Sequence, residues 1–369
     1  MNPEITQISE ENNQYRFTIK GLNVSLANAL RRTILSDIKT TVIHTETNKD
    51  NQCDIQINTS RLHNEILKQR LSCIPIHEPD LSVLPGNYIL EVDVKNDTEN
   101  IMWVTTENFK IKNKTNGKYV TENEQRRIFP ANPKTNHYVL FARLRPRIGD
   151  SIQGEHIKLT ADFSIATSRE NGMYNVVSKC SYGNTQDAVK ISEYWEQHEN
   201  KLRASGSLSD NDIEFEKKNY YLLDAQRMFV ENSYDFVLET VGVYENKEII
   251  KQACKVIVEK LLLFMNSLDS DIVPIYPSET TMDNSFDIVL ENEDYTVGKM
   301  LEYILYEKYY LGDKTLTFCG FKKFHPHNQD SIIRLAYLNK ADKHTVQQNL
   351  RMAAQEASQV FSKIHKMFA

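Results

Sequence analysis

Asn28-Ala29-Leu30-Arg31-Arg32-Thr33-Ile34-Leu35-Ser36-Asp37-Ile38 lies inside a helical pattern that runs from Val24 to Asp37. Leu26, Ala27, Leu30, Ile34 and Ile38 recur at three- and four-residue spacing and form one apolar stripe. Ser25 is the predicted N-cap. Arg31 and Arg32 are adjacent, about 100° apart around the axis, so both flank the stripe or leave it. Upstream, Tyr15 to Ile19 alternates as a strand, and Gly21 and Asn23 mark a turn. Downstream, Thr40 to Thr45 is a β-branched strand.

Outward from this unit the pattern changes. From about Cys53 to Thr167 short strands alternate with turns: Gln52 to Ile57, Tyr88 to Val94, Tyr138 to Leu144 and Lys158 to Ile165, with one helix near Leu62 to Gln69. The stretch from Lys110 to Pro133 is polar and reads as a solvated loop. A charged helical region follows from Asp187 to about Val230, interrupted at Ser205-Gly206-Ser207. Its aromatic string, Phe215, Tyr220, Tyr221 and Phe229, reads as packing, because the surrounding charge is mixed.

Phe236 to Val241 is a strand, and Lys247 to Met265 is a helix on which Ile250, Val256, Ile257 and Leu261 share a face. The Ser-, Asp- and Pro-containing stretch over 269–282 reads as a linker. Beyond it come a strand (Phe286 to Glu291), a helix (Thr296 to Tyr310), two strands (Leu316 to Gly320, Ser331 to Leu338) and a final helix from Val346 to Met367. On the two helices of this tail, Val297, Leu301, Leu305, Leu350, Ala357 and Phe361 are the predicted buried positions. Thr296-Val297-Gly298-Lys299-Met300-Leu301 repeats the scheme of Ser25-Leu26-Ala27-Asn28-Ala29-Leu30: a hydroxyl, then apolar, small, polar, apolar, Leu. Two strand-helix-strand units that each end in a long amphipathic helix are natural partners for pairing within the chain.

The 369 residues suffice for two or three domains. With 44 basic and 50 acidic residues the net charge is −6, which argues against a chain that holds nucleic acid by its overall field. Five scattered cysteines and an N-terminus without a basic-then-apolar leader point to a reducing, intracellular setting. Val256 to Met265, the most apolar stretch, is broken by Glu259 and Lys260 and is too short to span a membrane.

Motifs for chemistry are sparse. Val297-Gly298-Lys299-Met300 fails as a phosphate loop, since Glu293 stands where Gly is needed and Met300 where Ser or Thr would hold magnesium. Cys319, His325 and His327 lack a nearby fourth ligand and read as an ordinary loop. No Gly-x-Ser-x-Gly, His-Glu-x-x-His or tight Asp cluster occurs. The expectation is no catalytic residue, no metal and no cofactor.

Asn28 to Ile38 resembles the signature helix of the alpha-like subunits of DNA-dependent RNA polymerases: bacterial alpha, archaeal D and the third subunit of RNA polymerase II. Asn58-Thr59-Ser60 with Leu62, Glu65 and Arg70-Leu71-Ser72-Cys73-Ile74-Pro75-Ile76 is similar to the entry into that family's inserted domain. Asp294 to Leu301 and Cys319-Gly320-Phe321-Lys322-Lys323-Phe324-His325-Pro326-His327 resemble the smaller partner, archaeal L or the eleventh subunit. The resemblance implies an α+β fold: a larger dimerisation domain over 1–45 and 175–268, a β-rich inserted domain over 46–174, a linker over 269–282, and a smaller dimerisation domain over 283–369 that pairs with the larger in the same chain. Both partners in one polypeptide resembles the arrangement in large DNA viruses of eukaryotes, which would place the chain in the host cytoplasm and the virion. The resemblance further implies a non-catalytic assembly platform for the largest and second-largest polymerase subunits, touching DNA only through the complex. Asn28, Arg31 and Arg32 would meet a large subunit, and reversing both arginine charges should leave the chain folded. Leu26, Leu30 and Ile34 would line the internal pairing. Zinc, carried by some relatives in the inserted domain, is not expected, because only Cys53 and Cys73 fall there.

Overall fold

Side-chain alternation and two asparagines set the first hairpin. β1 (Glu4–Glu11) and β2 (Gln14–Lys20) are antiparallel with Glu11 opposite Gln14. The two-residue loop is Asn12-Asn13, with φ values of 50° and 68°, the left-handed pair that a type I′ turn demands and that Asn tolerates. Tyr15, Phe17 and Ile19 of β2 point into the core. α1 (Val24–Ser36) and β3 (Lys39–Val42) follow. Next come β4 (Cys53–Asn58), α2 (Asn64–Ser72), β5 (Tyr88–Lys95), β6 (Met102–Thr105), β7 (Lys110–Asn113), α3 (Glu122–Ile128), β8 (Leu140–Leu144), β9 (His156–Asp162) and β10 (Ser164–Thr167). The chain continues through β11 (Val177–Gln186), α4 (Ala188–Ser205), α5 (Asp210–Leu222), β12 (Phe229–Thr240) and α6 (Asn246–Asp269). It closes with β13 (Ile275–Pro277), β14 (Ser285–Leu290), α7 (Tyr295–Leu305), β15 (Leu316–Lys322), β16 (Ser331–Tyr337) and α8 (Lys343–Met367).

This computed structural model describes residues 1–46, 49–149, 151–205, 209–279 and 282–368. Antiparallel sheets with separate helices make the fold α+β. By internal contacts the chain divides into two units, residues 1–33, 179–239 and 253–369 in the first, and 34–178 with 240–252 in the second.

The first unit contains two four-stranded sheets, ordered β1-β2-β12-β11 and β13-β14-β16-β15. In the first sheet Phe17 lies opposite Phe236, their rings stacked at 5.1 Å. In the second, Ile288 opposes Ile333 and both are buried, while α7 and α8 bury their apolar stripes. The stretch read as a linker contains β13, which pairs with β14 from Ile275↔Ile288 to Pro277↔Phe286. Proline fits that edge position because it needs to donate nothing there; Thr280 and Thr281 of the same stretch lie outside the described residues. α7 gives way to a wider helical turn over Tyr306–Gly312.

α4 and α5 form a hairpin with a small core of Ile191, Trp195, Ile213, Tyr220 and Ala225. The break read at Ser205-Gly206-Ser207 falls between them, with Gly206 and Ser207 outside the described residues. Of the aromatic string read as packing, only Tyr220 is buried, its hydroxyl donating to the Ile191 carbonyl at 2.9 Å. Phe215, Tyr221 and Phe229 are exposed, because the helical period places them off the one face this small hairpin can cover.

The second unit holds a four-stranded sheet ordered β4-β9-β5-β7 and two ribbons, β3 with β10 and β6 with β8. Its core runs through Leu67, Leu71, Leu90, Phe109, Phe141 and Leu159. The stretch from Lys110 to Pro133, read as a loop, supplies β7 and α3. A capping box starts α3: Glu124 N donates to Thr121 Oγ1, and Thr121 N donates to Glu124 Oε2. Ile128 and Phe129 then anchor that helix in the core.

Candidate assembly surface

The two helices that echo one another are capped alike, two residues ahead of the hydroxyls. Asn23 Oδ1 accepts from Ser25 N at 2.9 Å, and Asp294 Oδ1 accepts from Thr296 N at 2.9 Å. Ser25 and Thr296 are therefore second-position residues rather than caps, and the amide oxygen of Asn23 and a carboxylate oxygen of Asp294 serve the two helix ends.

Arg32 and the start of α7 meet directly. Arg32 Nη2 lies 2.8 Å from Asp294 Oδ2, and Nε donates to Thr296 Oγ1 at 2.9 Å. Asp294 thus caps α7 with one oxygen and pairs with the guanidinium through the other. Arg32 was expected to face a large partner subunit; its Nε and Nη2 bond within the chain, while its side chain stays 32% exposed. A glutamate there would stand beside Asp294, so reversing both arginine charges should also weaken the contact between α1 and α7. Arg31 differs: Nε and Nη2 both donate to Asn28 Oδ1, at 3.0 and 2.9 Å. Asn28 fixes the orientation of Arg31, and both remain half-buried on α1.

Other contacts join the same two stretches of sequence. The Phe368 ring packs edge-on to Phe17 at 5.2 Å and tilted on Tyr15 at 6.3 Å. Lys260 pairs with Glu293 at 3.3 Å, and Arg351 pairs with Asp269. Leu26, Leu30, Ile257, Leu261, Val297, Leu301, Leu305, Leu350, Ala357 and Phe361 are all buried in the first unit. Val256 is only partly covered, because it falls on the shoulder of the α6 stripe. Ile34 and Ile250 are buried too, but in the second unit.

The rejected motifs acquire physical explanations. A Cβ on Gly298 would lie 1.9 Å from Phe321 Cε2, so this glycine lets the β15 ring press onto α7. That ring meets Tyr295 edge-on at 5.2 Å. His325 and His327 contact each other, with His327 N donating to His325 Nδ1 at 3.1 Å, while Cys319 Sγ reaches the Glu302 carbonyl. Among the described residues no three His, Cys, Asp or Glu side chains converge as a metal site. Burial pushes the Cys53 thiol up to about 11 and those of Cys180 and Cys319 to about 12; Cys254, fully enclosed, is raised further, and Cys73 alone is exposed. The four raised thiols are protonated near neutrality and poor nucleophiles. What the first unit offers is contact surface held by ion pairs and apolar stripes.

The comparisons agree with that character. The profile of the "RNA polymerase Rpb3/Rpb11 dimerisation domain" matches residues 16–261. A subunit from Pyrococcus furiosus, named DNA-directed RNA polymerase subunit Rpo3, is 34% identical over 76 residues, 21% of this chain and 26% of that protein. The Arabidopsis thaliana protein named DNA-directed RNA polymerases IV and V subunit 3B is 39% identical over 61 residues, 16% of this chain and 17% of its own length. The matches to these relatives thus span about a quarter and a sixth of their lengths. The profile covers the signature helix, the β-rich segment and the first long amphipathic helix in one continuous run, and on that extent the chain belongs to the RNA polymerase Rpb3/Rpb11 dimerisation domain family.

Proposed function

We propose that this chain is the non-catalytic assembly platform of a multisubunit DNA-dependent RNA polymerase. It carries the larger and the smaller dimerising partner in one polypeptide and nucleates the two large catalytic subunits. The observation that carries the reading is the joint between α1 and α7, where Arg32 bridges to Asp294 and Thr296 across more than 260 residues of sequence. In this reading the internal pairing is made by the stripes of α1, α6, α7 and α8. The flank of α1 where Asn28 aims Arg31 receives a large subunit; a guanidinium fork suits carboxylates and backbone carbonyls at such a contact. DNA is touched only through the assembled complex. A fusion of this kind fits a large DNA virus of eukaryotes, which would place the protein in the host cytoplasm and the particle.

The test is affinity purification of the tagged chain from its native setting. Two large polypeptides and template-dependent elongation activity should co-purify, and Arg31→Glu should lose both while the purified chain keeps its circular dichroism. Recovery of the chain with other partners and no elongation activity would make it a free-standing adaptor instead.

A further inference from the structure

A second surface lies in the second unit, on the ribbon of β6 and β8. Trp103 pairs with Arg143 across it. Strand alternation sends Val104, Ala142 and Leu144 into the core and leaves the Trp103 ring 55% exposed with the Arg143 guanidinium over it at 5.5 Å. Ile101 and Leu140 beside it are exposed as well. With Arg61 from the bend ahead of α2 and Arg70 from its last turn, these residues line a groove of about 600 Å³.

Its arginines are not equivalent. Arg70 holds the ribbon by donating to the carbonyls of Phe141 and Leu140, at 2.7 and 2.6 Å. Arg145 is paired with the buried Glu155. Arg61 and Arg143 have no carboxylate partner among the described residues, in a chain whose net charge is −6. An apolar floor with two unanswered guanidinium forks is complementary to a carboxylate-bearing ligand that also has an apolar side chain.

We propose that this groove docks an acidic linear segment of a partner protein. An aliphatic or aromatic anchor rests against Trp103, Ile101 and Leu140, and two flanking carboxylates meet Arg61 and Arg143. Nucleic acid fits less well: two free cations release few counterions, and one face of Trp103 is already covered by Arg143, so the ring cannot sit between two bases. The inference does not depend on the polymerase reading.

The experiment pans a random twelve-residue peptide display library on the intact chain and measures recovered peptides by fluorescence anisotropy. Selected sequences should combine Asp or Glu with one Leu, Phe or Trp, shift the tryptophan emission of the wild-type chain, and weaken at least tenfold in Trp103→Ala and in the double variant Arg61→Glu with Arg143→Glu. All three replaced side chains are exposed, and circular dichroism checks that the variants fold. Recovered peptides without acidic bias, no recovered peptide, affinities unmoved by the replacements, or tighter binding of a twenty-residue oligothymidine than of any peptide would each overturn the proposal.

Discussion

Replacing Arg32 by alanine tests the joint between α1 and α7. Hydrogen bonds to charged groups contribute about 1.5–3 kcal/mol, while fully exposed ion pairs give about 0.2–1 kcal/mol. The Arg32 side chain is 32% exposed and Asp294 16%, which places the pair between those limits, at about 1–2 kcal/mol. Asp294 also caps α7, so its plain deletion would mix two losses. Asp294→Asn avoids this, since asparagine is an equally good cap and Asn23 already does that work on α1. A cycle of Arg32→Ala, Asp294→Asn and the double variant therefore isolates the ion pair. Because a chain of two units need not unfold in one step, the readout is native-state hydrogen exchange at the amides of α7. A coupling of about 1–2 kcal/mol appears as roughly a five- to thirtyfold change in protection. A coupling within about 0.3 kcal/mol of zero would refute the reasoning, leaving the contact as geometry without energy.

Gly298→Ala should destabilise the first unit by about 1–3 kcal/mol, because the Phe321 ring must vacate its place on α7; in a Phe321→Ala background the same change should become neutral or stabilising, and urea midpoints distinguish the two. At pH 8 a thiol reagent should modify Cys73 rapidly and Cys53, Cys180 and Cys254 only on unfolding, which mass spectrometry of the labelled peptides reads directly. The raised thiols also set an alkaline limit. Folding holds Cys53, Cys180 and Cys319 protonated to about 11 to 12, whereas the unfolded thiols ionise near 9, so their contribution is complete below pH 9 and is lost as pH climbs through the folded values. Urea midpoints should therefore fall between pH 9 and 11, and a flat profile would contradict this.

Much of the fold was legible because periodicity is strong where burial is one-sided. The α1 stripe, the α6 face and α8 all stand within a few residues of their predicted limits. β1 was missed since its side chains, Glu-Ile-Thr-Gln-Ile-Ser-Glu-Glu, are almost all exposed at a sheet edge and leave no alternation; the Asn12-Asn13 turn was its only sign. β7 and α3 were missed for a similar reason, although Thr121 and Glu124 spell a capping box. The site divides differently. That Leu26, Leu30, Leu301 and Phe361 are buried follows from pattern alone. That Arg32 turns toward Asp294 and Arg31 toward Asn28 does not, because two adjacent arginines on one helix differ only in what three-dimensional neighbours they find. The Trp103 groove was equally hidden, being assembled from four separated segments.

The two capped helices are alike in pattern and unlike in charge, and this discriminates between possible mates. An offset of 271 residues takes Ser25 to Thr296, Asn23 to Asp294, and Arg32 to Tyr303. If two copies of the N-terminal helix met in the geometry seen here, Arg32 would face the uncharged Asn23; if two copies of the C-terminal helix met, Tyr303 would face Asp294. Only the mixed combination sets a cation against a carboxylate. Specificity is a difference between affinities, and one such contact at about 1.4 kcal/mol favours the mixed pair about tenfold over either self-pair. Expressed as separate chains, the two halves would sort themselves into heterodimers, and between neighbouring molecules the same bias works against the pairing of like halves.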